Sequence, residues 1–416
     1  MSTSSQDWEN GALGGFFRIK HGFAFKGRFF AEEGGYIVLT PGNFKPDGGL
    51  KLKGDREKYY TGDFPHEYLL RREDLLVVMT DLKQDAPILG SPAFIPEDDR
   101  FLHNQRLGKI IDLDESRMDW RFLYYLLNSY SVRAQIKASA TGATVRHTAP
   151  SRLYDVEVCV PPLPTQRKIA AVLSAYDDLI ENNTRRIAVL EEMAQAIYRE
   201  WFVRFRFPGH EQVALVDSAL GPIPEGWEVK RLEDVCDLVV GQSPKSEFYN
   251  ERGEGLPFHQ GVKDFGSLFP KTRVYCTVMR RVAQDGDILF SVRAPVGRIN
   301  IADRKIVIGR GLHAIRNKAG NQSFAFLQLK DKFSEEDMIG GGTIFKAVTK
   351  ADVLGIELLM PSSNLIAEFE RIANPMLLGL RVFTSSNEIL RRTRDLLLPR
   401  LVSGEVDVSD LEINGS

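Results

Sequence analysis

The chain is written twice, and no other feature constrains its fold as much. Trp8-Glu9 recurs as Trp227-Glu228, 219 positions on; Leu13, Gly22, Lys26 and Gly42 recur at the same offset as Leu232, Gly241, Lys245 and Gly261. Phe29-Phe30 meets Phe248-Tyr249. Asp74-Leu75-Leu76 then meets Asp287-Ile288-Leu289 at an offset of 213, and Arg106 and Phe122 meet Arg310 and Phe326 at 204. Gly142, Arg146, Val156-Glu157-Val158 and Pro161 meet Gly342, Lys346, Ile356-Glu357-Leu358 and Pro361 at 200. The order is kept while the offset shrinks in steps, as two copies with different loop lengths require. A chain of 416 residues has room for two or three unrelated domains; here one unit of roughly two hundred residues is used twice.

Each copy has the same grammar. Short β-rich runs broken by Gly, Pro and Asn come first, as at 35–40 and 287–292. A helical patch follows (120–128; 324–333), then an apolar strand ending in proline (156–161; 356–361), then a long helix. For the first long helix, Thr165 is the expected N-cap after Pro161, Pro162 and Pro164. Ile169, Leu173, Tyr176, Ile180, Asn183, Ile187, Leu190, Ala194, Ile197 and Trp201 then step by fours and threes, with no Gly or Pro between them. A polar Asn183 on such a seam is the kind of residue that fixes register. At 1.5 Å per residue a helix over 165–203 runs about 58 Å, too long for a small core, so a partner helix is expected. Residues 364–401 supply one, with Ile372, Met376, Leu380, Phe383, Leu390 and Leu397 at mostly helical spacing and Pro375 predicting a kink or restart. The expected fold is α+β (mixed α/β): two globular heads in tandem repeat, separated by two long antiparallel coiled-coil helices and related by a pseudo-two-fold. The boundaries are a first head over 1–160, a central helix over 161–207, a second head over 208–362, a distal helix over 363–404 and a C-terminal tail over 405–416.

Charge and cysteine usage narrow the function. Lys plus Arg is 54 against 56 Asp plus Glu, which excludes a uniformly basic nucleic-acid coat but not a locally basic face. Cys159, Cys236 and Cys276 are far apart, so neither a disulfide framework nor a cysteine zinc site is expected, and a reducing cytoplasm fits. The first residues lack a signal-peptide pattern, and there is no run of about 18 apolar residues; a cytoplasmic protein with no membrane span is expected. Residues 340–346 lack the spacing of a phosphate-binding Walker loop and read as a flexible turn. Asp264-Phe265-Gly266 stands without the other kinase motifs, and the carboxylate-x-lysine patterns Asp81/Lys83 and Glu228/Lys230 are too short to carry nuclease chemistry. The histidines at 21, 66, 103, 147, 210, 259 and 313 are isolated. No amino-methyltransferase tetrapeptide is present. No catalytic residue, metal ligand or bound cofactor is therefore expected in this chain.

What remains is a binding signal. From Lys271 to Arg316 there are ten Lys or Arg and three Asp, a net +7 in a chain of net charge -2. Polyanion phosphates are the natural partner of such a stretch, and solvated strand faces are the alternative. In the first copy Lys20, Lys26, Lys45, Lys51 and Lys53 mix with Phe23, Phe25 and Phe44, which read as core, and with the amides Asn43, Gln84, Asn104 and Gln105. Arg, Lys, Asn and Gln are the side chains that read base edges. Gly22, Gly42, Gly241 and Gly261 are expected to shape the loops between them.

At this point the sequence resembles the specificity subunit of type I restriction-modification systems. The resemblance is carried by residues 161–170 (PPLPTQRKIA) leading into the heptad helix, by 190–193 and Trp201-Phe202, by 221–227 (GPIPEGW) opening the second copy, and by 396–405 (LLLPRLVSGE) closing it. The first copy departs from the pattern by starting at Trp8 without the 221–226 leader. The resemblance implies that the heads are target-recognition domains, each reading one half of a bipartite double-stranded DNA target. It implies that the helices set the spacer and dock two methyltransferase subunits, and that a motor-nuclease subunit joins them. S-adenosylmethionine, ATP and Mg would then belong to those partners. By position and residue type, the DNA-contact candidates are Lys20, Lys26, Asn43, Lys45, Lys83, Gln84, Gln105 and Arg106 in the first head. In the second they are Gln242, Ser243, Lys245, Gln260, Lys263, Arg293, Arg298 and Arg310. Two other readings stay open: a non-catalytic coiled-coil scaffold that binds only protein, and a self-contained methyltransferase or nuclease with unrecognised motifs.

Overall fold

The computed structural model describes residues 8–333 and 347–412. The turn read at 340–346 and the repeat partners Gly342 and Lys346 lie outside the described residues. The chain forms two compact units: residues up to Ile180 with those from Ile389 onward, and Glu181–Glu388. Each unit therefore holds one head, part of the central helix and part of the distal helix.

In the first unit, strand Glu9–Ala12 pairs antiparallel with Glu157–Val160, closing the end of the head onto its start. An antiparallel sheet runs Arg18–His21, Leu107–Ile111, Leu75–Val78, Pro92–Phe94. A second runs Phe30–Ala31, Tyr59–Tyr60, Tyr36–Leu39, Phe101–His103, and its last pair is parallel. Leu75–Val78 is an uninterrupted apolar run because both of its faces are covered. Leu75 and Val77 face a core with Phe122 and Leu126, whereas Leu76 and Val78 face another with Ile37, Leu39 and Phe44. Asp119 caps helix Trp120–Asn128 by accepting from the amides of Arg121 and Phe122.

The second unit repeats this plan, with a fifth strand, Val282–Ala283, added beside Ile306–Ile308 in its second sheet. Glu228–Arg231 pairs with Glu357–Met360, and a sheet runs Cys236–Val240, Leu312–Asn317, Ile288–Ser291, Ile299–Ile301. Leu256–His259 lies parallel to Ile306–Ile308, as Tyr36–Leu39 does to Phe101–His103. The same ion pair precedes each buried strand: Lys109 to Asp74 at 2.6 Å, and Arg316 to Asp287 at 2.7 Å. The aligned glycines have a shared reason too. A Cβ on Gly22 would lie 2.1 Å from the Asn104 carbonyl, and one on Gly241 would lie 2.2 Å from that of Gly309.

The central helix spans Leu163–Tyr198 and continues as a π-helical turn, Arg199–Val203. It starts earlier than Thr165, because the amides of Thr165 and Gln166 already donate to the Pro162 carbonyl. Pro164 sits in the first turn, where no donor is needed. The buried Gln166 ties this end down, donating to the carbonyls of Arg117 at 2.7 Å and Pro161 at 2.8 Å. The distal helix spans Ser363–Val402 without restarting at Pro375. That proline is exposed, as is Arg371 one turn earlier, so the carbonyl it leaves unpaired faces solvent.

The helices run antiparallel within each unit. In the second unit Asn183 donates to Asn387 Oδ1 at 3.1 Å, Asn387 donates to Thr184 Oγ1 at 3.2 Å, and Gly379 faces Leu190. In the first unit Arg394 meets Asp177 at 2.5 Å. Ile169, Leu173, Ile180 and Ala194 are buried, while Tyr176, Ile187, Leu190, Ile197 and Trp201 are partly covered. On the distal helix Leu380 is buried, and Ile372, Met376, Phe383, Leu390 and Leu397 are partly covered. The most deeply buried positions there also include Phe369 and Ala373, which the sequence seam passes over. No helix among the described residues is long and apolar enough to cross a membrane.

Candidate nucleic-acid interface

Apart from Lys20, which lies within strand Arg18–His21, the candidate residues of each head sit on loops and short turns that leave the strands. Three such loops converge in the second head. The Gln242 amide donates to the Ile308 carbonyl at 3.0 Å, the Gly309 amide to the His259 carbonyl at 2.8 Å, and the Arg310 amide to Ser243 Oγ at 3.2 Å. These bonds use backbone groups and the Ser243 hydroxyl, and leave the side chains of Gln242, Gln260 and Arg310 exposed. Gln260, Lys263 and Arg293 line one cleft with Tyr249, Phe258 and Arg273. Tyr249 stacks on Phe258 at 4.5 Å and forms its apolar wall.

Of the two remaining candidates of this head, Lys245 lines a neighbouring cleft with Gln242 and Ser243, and Arg298 lies apart. Lys245 is exposed at the start of the turn Ser246–Phe248 and lies 3.8 Å from Glu247. Arg298 lines a different cleft, with Val262, Gly266, Pro295, Tyr198 and Phe333. The basic block is also less free than its count suggests. Arg273 grips Asp264, Arg304 pairs with Asp303 at 2.7 Å, and Arg316 holds the buried Asp287.

In the first head Gln105 and Arg106 stand exposed on the loop held by Gly22, with the Gln105 amide donating to the Phe23 carbonyl at 3.0 Å. Lys26 is exposed before the turn Gly27–Phe29. Lys45 is exposed on the hairpin where Phe44 bridges Leu50. Lys83 and Gln84 are exposed beyond strand Thr80–Asp81, where Asp81 accepts from the amides of Lys83 at 3.0 Å and Ile88 at 2.7 Å. Asp81 is thus a buried turn former, not half of a metal site.

Asn43 is a correction. It is fully buried, donates to Glu57 at 2.9 Å, and accepts from Lys53 at 2.9 Å and from the Thr40 amide at 3.0 Å. Every polar atom of its amide is engaged, so it shapes the loop and cannot reach a base. Lys20 is partly committed as well, pairing with Glu67 at 2.9 Å and lying over the Tyr68 ring. Phe44 is core, whereas Phe23 and Phe25 join a half-buried aromatic cluster with Tyr60, Phe64 and Tyr68.

The sequence reading missed the side chains that hold these loops. Arg133 and Asn128 bind the hairpin of Lys45, and Arg394 reaches Asp47 on the same hairpin at 3.5 Å. Nothing in their spacing marks them out. Asn387 did carry a signal: it is a polar residue on a helix already expected to pair with Asn183. Burial drives His103 down to about 4 and also lowers His259 and His313, which keeps all three neutral near pH 7. Among the described residues no group of three or more His, Cys, Asp or Glu is placed to hold a metal ion.

The chain is similar to known proteins in sequence and in fold. A family model described as type I restriction modification DNA specificity domain matches residues 5–192 and 224–369. A putative type I restriction enzyme MjaX specificity subunit from Methanocaldococcus jannaschii is 34% identical over 277 residues, covering 65% of this chain and 63% of that relative. The match thus spans a little under two thirds of that relative's length. The MjaIX specificity subunit of the same organism is 28% identical over 302 residues, covering 70% of each chain. The crystal structure of a type I restriction-modification system S subunit from M. genitalium superposes with a TM-score of 0.62 at 17% identity, covering 96% of this chain and 98% of that one. At that identity the superposition speaks for the fold alone.

Proposed function

The chain belongs to the type I restriction-modification DNA specificity family, and from that premise we propose that it is the DNA-reading, non-catalytic subunit of such a complex. Each head reads one half of a bipartite double-stranded target. Exposed Lys and Arg settle on phosphates and position the duplex, while a few amide and guanidinium groups on the loops choose bases. One observation carries the reading. The same loop platform is built twice on the same strand order, and each copy displays cations and amides at its tip: Gln105 and Arg106 in one, Gln260 and Arg310 in the other.

The helices set the spacer and dock two methyltransferase subunits, which supply the S-adenosylmethionine chemistry on adenine; a motor-nuclease subunit using ATP and Mg completes the assembly. The outward helix faces support docking. In the second unit they expose Val189, Met193, Leu378 and Val382, and in the first unit Leu179, Ile389 and Leu396. Apolar residues recurring along a helix face in this way mark interaction surfaces.

The test is binding of the assembled complex to its target across a salt series. A steep loss of affinity with rising salt is the expected result. Salt-independent or absent DNA binding would leave only the protein-scaffold reading.

A further inference from the structure

Arg133, on helix Tyr130–Ala138, is nearly buried at 7% exposure, yet the described residues give it no carboxylate partner. Its guanidinium donates to the Pro87 carbonyl at 2.8 Å, the Pro46 carbonyl at 3.3 Å and Asn128 Oδ1 at 3.2 Å. Its Nε has no hydrogen-bond partner. Burial pulls it down to about 10, so it remains charged at neutral pH and its desolvation is a standing cost. A buried cation whose direct hydrogen bonds go only to carbonyls and an amide, with Asp81 and Asp47 near enough to attract it but not in contact, gains little as a stabiliser, and its geometry indicates another use.

The two carbonyls belong to different loops. Pro46 lies in the hairpin that carries Lys45, and Pro87 lies in the loop that carries Lys83 and Gln84. Asn128, which accepts from Arg133, also donates to the Asp47 carbonyl. Ser91 closes the junction by donating to the Lys45 carbonyl at 2.5 Å. Gly48 packs so tightly that a Cβ there would lie 2.7 Å from the Tyr124 hydroxyl, which leaves the hairpin little room to shift. A planar guanidinium with donors in a fixed fork can span two loops; an ammonium, a point donor on a flexible stem, cannot hold both in one geometry.

We propose that Arg133 is a positioning residue for recognition by the first head, setting the spacing between the Lys45 and the Lys83/Gln84 loops so that both meet one half-site. This rests on the function proposed above. The test uses the full chain assembled with its methyltransferase subunits. Competition binding is measured against DNA altered in one half-site or the other, and the half whose discrimination falls in Arg293→Ala is assigned to the second head. Arg133→Met keeps the volume and removes the fork. It should cut discrimination at the other half-site tenfold or more, while the Arg293-dependent half keeps its discrimination. Arg133→Lys should not restore it, and methylguanidine added to Arg133→Gly should restore it in part. If Arg133→Met does not fold, Asn128→Ala should move the same half-site in the same direction by a smaller factor. A folded Arg133→Met complex with unchanged discrimination at both halves overturns the inference. A wild-type complex that discriminates at neither half overturns the proposed function itself.

Discussion

The two heads share a strand order and hold the corresponding pair of loops in different ways. In the first, the loops around Lys45 and Lys83 are drawn together by a buried guanidinium, and the Lys45 hairpin packs at Gly48 against Tyr124, which stacks on Phe94. In the second, the loops around Gly266 and Pro295 line a cleft of about 530 Å³ with Tyr198, Leu327 and Phe333. Charge differs as well. From Lys51 to Lys109 ten Lys or Arg face eleven Asp or Glu, whereas the matching stretch of the second head carries a net +7. The sheets and the long helices form a constant frame, and the chemistry that would distinguish one DNA half from another varies on top of it.

That contrast can be broken or sharpened, starting with the frame. Phe122→Ala and Phe324→Ala each delete a fully buried ring from the core of one unit, and each should cost about 3–5 kcal/mol. Hydrogen exchange should show the loss mainly in the head that carries the substitution; equal loss in both would mean the heads do not have separate cores. Acid comes next. His103 is neutral in the folded first head down to about 4 but takes up a proton near 6.5 once unfolded. The unfolded state therefore binds more protons between those values, and stability should fall as pH drops through that window, by on the order of 3 kcal/mol. Urea unfolding at pH 7 and pH 5, with His103→Gln as a control of flattened pH dependence, checks this.

Smaller effects bear on reading itself. Arg293→Ala or Arg310→Ala should weaken specific binding by about 1–3 kcal/mol if the side chain meets a base, and relax specificity at one half only. A titration with unchanged affinity and specificity would remove that residue from the interface. Lys271→Ala and Lys305→Ala, both exposed, should act on phosphates, weakening all sequences alike and lowering the salt slope by about 1 each. The comparison of charge between heads fails if Lys51→Ala lowers the slope by more than these do.

Much of the frame was legible because repeats and heptads leave periodic marks. Constant offsets aligned Asp74 with Asp287 and Gly22 with Gly241, and the structure gives each pair the same task. The seam from Ile169 to Trp201 was legible for the same reason. The distal seam was less so: Ile372 is the larger residue, but Ala373 takes the buried place, since helix rotation is set by the neighbour and not by side-chain size. At the loops residue type is ambiguous. Asn43 has the chemistry of a base reader, and only folding brings Glu57 and Lys53 to it. Arg133 fits a solvated helix face equally well until the carbonyls of Pro46 and Pro87 close over it.

The central claim, that one repeated platform reads two separate halves of a DNA target, is tested most directly by methylome sequencing of a host carrying the intact system. The account expects methylated adenine in a bipartite motif with an unspecified spacer, and a change confined to one half in an Arg293→Ala host. A continuous motif, or no methylated motif, would contradict it.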